Sequence, residues 1–299
     1  MFNAKEYMNK NKAVGYFGVS YIDKKLNCIQ KNDLILIGAR SGAGKSSLAQ
    51  IMAIHNNRLG KKVSLFSLEN FDGDDFMQRL YYEYMKETGD YSINQRAFTS
   101  GNMEINEQAL GLATCETEKY FNGLEIISRQ KDFNLEKLKR ELVLAVEERG
   151  KELIILDHLD YIDKDNPNDS DVSHVSEIMR TIRNLQDTFG VAVIAFSHLR
   201  KPQMAKDRPA VPSIDEFIGS SNKVKEATAV IMFAPDDKGN QTVAGSSKRF
   251  TWCCVRKLRQ GGIDNKTARL IYDAKTGLYD DYFDEKVVSY NGEIKNEAI

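Results

Sequence analysis

Leu34-Ile35-Leu36-Ile37-Gly38-Ala39-Arg40-Ser41-Gly42-Ala43-Gly44-Lys45-Ser46 decides how the rest of the chain reads. Four consecutive aliphatic residues predict a strand buried on both faces. A glycine-rich turn follows, and the run from Ser46 to Leu59 has the pattern of a helix. A strand, a turn of this kind and a helix in that order are the context of a phosphate loop. Its successive backbone N–H groups form an anion-binding concavity at the positive end of the helix. Ser41, Gly42, Ala43, Gly44, Lys45, Ser46 and Ser47 are therefore the expected ligands of ATP or another nucleoside triphosphate. Lys45 reaches the β- and γ-phosphates and the Ser46 hydroxyl coordinates Mg²⁺. Ala39 stands where such loops usually have their first glycine, a position that precedes the tight turn.

Working outward, further apolar runs occur at Val63–Leu68, Leu153–Leu156, Val191–Phe196 and Val230–Phe233. Their continuous apolarity predicts a parallel sheet covered on both faces. Helix-like segments lie between them, notably Leu135 to Arg149, closed by Gly150. The fold class expected is α/β: a doubly wound, mostly parallel sheet with helices on both faces. In that topology the strand Val63–Leu68 would neighbour the phosphate-loop strand. Phe71 to Gln130 is polar, aromatic-rich and expected to be helical. Asp163 to Asp171, with Asn166-Pro167-Asn168 at its centre, reads as an exposed loop. Phe250–Val255 and Ala268–Tyr272, separated by Gly261-Gly262, predict an antiparallel hairpin.

The chain has 299 residues, 41% of them hydrophobic, enough for one large α/β domain. The expected division is a short N-terminal segment over 1–14, a core over 15–284 and a loosely held tail over 285–299. A formal net charge of −1 excludes a polycationic nucleic-acid binder, so any basic surface must be local. No apolar run is long enough to span a bilayer, and Met1-Phe2-Asn3-Ala4-Lys5 does not open a signal peptide, so a cytoplasmic location without membrane partners is expected. Cys28, Cys115, Cys253 and Cys254 lack zinc-ligand spacing and read as reduced structural thiols.

Two carboxylates follow strands. Asp157 ends Leu153–Leu156, where a Mg²⁺-holding carboxylate must sit; an Asp capping the next element is the plainer alternative. Glu69 follows Val63–Leu68 and could deprotonate an attacking water, or be a solvated residue at a strand end.

Taken together, these motifs resemble the RecA-like ATPase domain of hexameric replicative helicases, the DnaB type and its relatives in phage primase-helicases. The resemblance covers about Tyr16 to Tyr279. It rests on Gly38 to Ser46, Phe66-Ser67-Leu68-Glu69, Ile154-Ile155-Leu156-Asp157-His158-Leu159, Phe196-Ser197-His198-Leu199 and Lys257-Leu258-Arg259, in that order. It implies that Glu69 is the catalytic base and that His198 senses the γ-phosphate. It also implies that Lys257 and Arg259, which alternate on one strand face, enter the neighbouring subunit's site, Arg259 as an arginine finger. An ordinary basic edge strand is the alternative.

The same resemblance implies two loops gripping single-stranded DNA in the channel of a ring, expected to be a hexamer. One corresponds to Arg200–Arg208, with Arg200, Lys201, Lys206 and Arg208 as its cations. The second contains Gly219 and Ser220, with Lys223 and Lys225 close by. Ile218 stands where the family has arginine, and Asp215 and Glu216 lie just upstream. The segment before the core is too short for a primase or primase-binding domain, although a helix over about Ala4–Lys12 could dock on a neighbouring subunit. The implied function is an ATP-driven helicase or translocase on single-stranded DNA, with replication-initiation or loader proteins as partners. A regulatory or scaffold ATPase that switches a protein assembly is the competing class. A small-molecule kinase fits less well, since it leaves Lys257 and Arg259 without a role.

Overall fold

The computed structural model describes residues 13–166, 168–200, 211–217, 220–237, 240, 246–259, 266–288 and 294–295, with 220–222, 281–288 and 294–295 described by backbone alone. The strands are β1 (Leu34–Ala39), β2 (Val63–Ser67), β3 (Glu125–Ser128), β4 (Leu153–Asp157), β5 (Ala192–His198), β6 (Ala229–Pro235), β7 (Lys248–Leu258), β8 (Lys266–Asp273), β9 (Leu278–Val288) and β10 (Ile294–Lys295). They form one sheet in the order β10-β9-β8-β7-β6-β1-β5-β4-β2-β3. From β6 to β3 every pairing is parallel, and from β6 outward to β10 every pairing is antiparallel. The expected β7–β8 hairpin is present, extended by two strands that the sequence pattern did not announce. β9 and β10 carry the sheet past residue 284, the expected limit of the core.

The helices are α1 (Ser20–Leu26), α2 (Lys45–Arg58), α3 (Asp74–Thr88), α4 (Gln95–Thr99), α5 (Glu107–Phe121), α6 (Leu135–Glu147), α7 (Asp171–Phe189) and α8 (Ser220–Glu226). Alternation along β1 shows how the sheet is sandwiched. Leu34 and Leu36 join the core that includes Leu138 and Leu142 of α6 and Ile178 and Ile182 of α7. Ile35 and Ile37 join the opposite core with Leu48, Met52 and Ala53 of α2. Each such fully buried aliphatic side chain contributes about 1.5–3 kcal/mol. Helices α3, α4 and α5 pack around Leu80, Tyr84, Phe98 and Ala113 in a smaller cluster of their own. That cluster is the helical insertion expected between Phe71 and Gln130. The short β3 at its end escaped the sequence pattern because only Ile127 of its four residues is buried.

One expectation is overturned. β2 does not neighbour β1; it pairs with β4 and β3, and β4 and β5 lie between it and β1. Apolar runs show that a strand is buried but not which strands flank it.

Candidate active site

The phosphate loop leaves the carboxyl end of β1, where open α/β sheets place their ligands. Gly42 and Gly44 have φ of 79° and 78°, left-handed values that a side chain adopts only under strain. Ser41, Gly42 and Gly44 are exposed, while Ala43 and Lys45 are buried. Gly44 is the N-cap of α2, so Lys45, Ser46 and Ser47 form the first turn with its unpaired N–H groups. Burial lowers the Lys45 ammonium, and the carboxylates of Asp157, Glu69 and Asp160 act against that effect.

Three carboxylates converge on this turn from β2 and β4. Glu69 Oε2 accepts a hydrogen bond from Ser46 Oγ at 3.2 Å, and Glu69 Oε1 accepts one from Tyr161 Oη at 3.3 Å. Ser67 is in register with Asp157, and Leu68 N donates to Asp157 O at 2.7 Å, so the ends of β2 and β4 are locked together. Asp157 is 1% exposed, and burial pushes its carboxyl up to about 6. Its Oδ1 is buried without a hydrogen-bond partner among the described residues. A buried carboxylate oxygen without a donor, beside the Ser46 hydroxyl, fits a hard divalent cation such as Mg²⁺.

His158 and His198 line the far side of the site, their rings 4.1 Å apart and edge to face. His158 Nε2 lies 3.6 Å from Glu69 Oε2, and its Nδ1 lies 3.3 Å from Asp160 Oδ2. Burial together with the nearby His158 and Lys45 lowers the His198 imidazole, which is neutral at physiological pH. Asp160 Oδ2 accepts the His198 N–H at 2.8 Å. Burial alone would raise the Asp160 carboxyl; the bond with His158 and the Lys223 ammonium hold it at about 2. His158, Asp160 and His198 could by spacing hold a metal ion. The Lys223 ammonium, 3.7 Å from Asp160 Oδ1, already supplies the countercharge.

Lys257 and Arg259 do point the same way, as alternation on a strand requires. Lys257 Nζ donates to Val224 O at 2.6 Å and Lys225 O at 3.1 Å, and Arg259 reaches Lys225 O at 3.4 Å. They sit at the opposite end of the sheet from the phosphate loop. Arg259 N bonds Thr228 O, and Thr228 N bonds Leu34 O, at the start of β1.

The profile of the DnaB-like helicase C terminal domain matches residues 16–281. The chain belongs to the DnaB-like helicase C-terminal domain family. It is 24% identical over 272 residues to the replicative DNA helicase DnaB of Buchnera aphidicola (subsp. Acyrthosiphon pisum), covering 90% of this chain and 56% of that protein. It thus spans about half the length of the curated relatives it matches. Among solved structures, an isolated ATPase domain superposes with a TM-score of 0.74 at 18% identity, covering 93% of this chain and 95% of the other. A DnaB-like replicative helicase studied for its interactions with primase gives 0.73 at 18%, covering 92% and 63%. These likenesses establish a RecA-like fold.

Within this DnaB-like domain the structure brings together Lys45, Ser46, Glu69, Asp157 and His198. It does not bring Lys223 to a DNA-facing surface. Lys223 is fully buried, donates to Ser197 Oγ at 2.7 Å and pairs with Asp160, so it presents no ammonium to a phosphate. That expectation is corrected: helix α8 turns residue 223 inward. Arg200 is exposed. Lys201, Lys206, Arg208, Ile218 and Gly219 lie outside the described residues, as does the Ser220 side chain.

Sequence reading missed four residues of the site. His158 and Tyr161 flank Glu69, and Asp160 joins His158 to Lys223. Arg40, 4% exposed, makes a bidentate ion pair with Glu216 at 2.9 and 2.7 Å, so the acidic residue upstream of Gly219 is already neutralised. The one available signal was the density of polar residues in Asp157-His158-Leu159-Asp160-Tyr161 directly after an apolar strand.

Proposed function

We propose that the chain is a Mg²⁺-dependent ATPase that works as a ring-forming helicase or translocase on single-stranded DNA. The observation that carries the ATPase reading is the meeting of Glu69 with Ser46 beside the unpartnered Asp157 oxygen. Lys45 and the N–H groups of the first turn of α2 hold the phosphates, and Ser46 and Asp157 hold the metal, which draws charge from the transferring phosphoryl group. Glu69 orients the attacking water and takes its proton, with Tyr161 fixing the carboxylate from its other oxygen. The neutral His198 donates a hydrogen bond to the γ-phosphate and loses that acceptor after cleavage.

Family membership and the site's position at the end of a RecA-like sheet support the motor reading, as does the failure of Arg259 to face its own site. The relatives named above are replicative DNA helicases, and assembly into a hexamer with loader proteins as partners belongs to the same reading. ATP hydrolysis measured with and without single-stranded DNA at matched low salt is the test. A severalfold rise with DNA is expected. Replacing Lys201, Lys206 and Arg208 together by Ala should then weaken DNA binding and flatten its salt dependence. Hydrolysis indifferent to DNA would favour a regulatory or scaffold ATPase, a reading supported by the burial of Lys223 and by Ile218 in place of arginine.

A further inference from the structure

The segment on either side of Ile218-Gly219 is fastened to the nucleotide site at both of its ends. On the N-terminal side, the 3-10 turn Ile214–Glu216 is capped by Ser213 and carries Glu216, which grips Arg40 of the phosphate loop through both carboxylate oxygens. Phe217, fully buried, rests on Gly38: a Cβ at Gly38 would come within 2.5 Å of Phe217 Cζ. Leu199 bridges to Phe217, and Arg200 N donates to Glu216 O at 2.7 Å, so the chain leaving β5 is tied to the same turn. On the C-terminal side, Lys223 of α8 reaches Ser197 of β5 and Asp160 beyond β4.

Each oxygen of Asp160 has a distinct duty. Oδ1 faces Lys223, while Oδ2 takes the His198 N–H and faces His158 Nδ1. His158 in turn lies between Asp160 and Glu69. A fully buried ammonium held by one carboxylate cannot part from it without leaving an uncompensated charge, so α8 must follow Asp160 when the site rearranges. The same helix offers the carbonyls of Val224 and Lys225 to Lys257 and Arg259, so its displacement is felt by both.

We propose that Lys223 is a positioning residue through which the nucleotide site sets the placement of α8, with Arg40–Glu216 as the second clamp on the same segment. Its role is to transmit the state of Glu69 and His198 through Asp160 to the chain that follows Gly219. The proposal rests on the ATPase reading above, and only its DNA readout rests on the motor reading.

The test is hydrogen exchange of the full chain over residues 211–226, with and without a non-hydrolysable ATP analogue and Mg²⁺. Wild-type protein should show nucleotide-dependent protection in α8. Lys223→Met should lose that response while binding the analogue and retaining basal hydrolysis, and Lys223→Arg should keep it. If Lys223→Met fails to fold, the paired change Asp160→Asn with Lys223→Met removes both charges and should also lose the response. An unaltered response in the folded Lys223→Met protein or in the double variant overturns the proposal, as does a wild-type α8 indifferent to the analogue. In parallel, stimulation of hydrolysis by single-stranded DNA should fall to near unity in Lys223→Met. Should wild-type hydrolysis itself ignore DNA, the motor reading fails while the exchange measurement still decides the role of Lys223. Wild-type protein that does not bind the analogue at all would instead remove the ATPase reading.

Discussion

Glu69 and Ser46 meet at 3.2 Å although the strands that carry them are separated by two others. Adjacent strands lie about 4.8 Å apart, so β1 and β2 are roughly 14 Å from one another in the sheet. The contact closes because Ser46 is borne on the first turn of α2, beyond the end of β1, and Glu69 lies beyond the end of β2. The catalytic pair is thus made by two connections above a rigid sheet, each placed by its own strand.

Glu69→Gln keeps the shape and the hydrogen bond from Tyr161 but removes the proton acceptor. Hydrolysis should fall by about 10²–10⁴-fold, the usual contribution of a general base, with nucleotide affinity nearly unchanged. Single-turnover hydrolysis beside a binding titration checks it. A loss of affinity with undiminished turnover of bound nucleotide would make Glu69 structural.

Lys45→Ala should weaken triphosphate binding sharply and abolish hydrolysis, because the phosphates lose a charged hydrogen-bond donor. The folded protein should be no less stable without nucleotide, since burial disfavours the Lys45 ammonium. Thermal melts and a nucleotide titration together separate the two effects, and wild-type turnover would sink the phosphate-loop assignment.

Asp157 links catalysis to stability. Burial raises its carboxyl to about 6 from an unfolded value near 3.8. Between those values the folded chain binds more protons than the unfolded one, so this group's contribution makes the protein less stable as pH rises from 3.8 through 6. The full penalty above that window is about 3 kcal/mol. Asp157→Asn should therefore raise the melting temperature of the nucleotide-free protein more at about pH 7.5 than at about pH 5, while Mg²⁺-dependent hydrolysis is lost. An equal change at both pH values would show that Asp157 is not strained by its burial. Asp160, held at about 2, acts in the opposite sense and only at lower pH, its stabilisation being lost as pH falls through 2.

The parts of this site that were legible beforehand share one property: they depend on local pattern. Gly42 and Gly44 announce the turn, and Asp157 and Glu69 announce themselves as the first polar residues after apolar strands. Strand order was not legible, because Val63–Leu68 is equally apolar whether it pairs with β1 or with β4. Nor could the fate of Lys223 be read, since a lysine in a short helix says nothing of which way that helix faces. Its partner Asp160 is 63 residues away, and Glu216 is 176 residues from Arg40. Pairings between charges so distant in the chain are set by the tertiary fold alone.

Oligomer and mechanism can be tested together through Arg259. Its backbone is held by Thr228 at the start of β6, while the phosphate loop leaves the far end of β1. Six strand residues at about 3.3 Å each place roughly 20 Å between those ends, too far for one arginine side chain to cross. If Arg259 serves catalysis, it serves a neighbour's site. Arg259→Ala protein should then bind nucleotide normally and hydrolyse it about a thousandfold or more slowly, the scale on which arginine fingers act. Lys45→Ala protein should be inactive for the opposite reason, an intact finger beside a broken phosphate loop. Mixed in one assembly, the two variants create interfaces that join an intact loop from one subunit to an intact Arg259 from another, and activity should partly return. Recovery that rises and falls with the mixing ratio would show that sites are shared. Subunits that demonstrably co-assemble without recovery would place Arg259 outside the chemistry, as a cation anchored to the carboxyl end of α8 and nothing more.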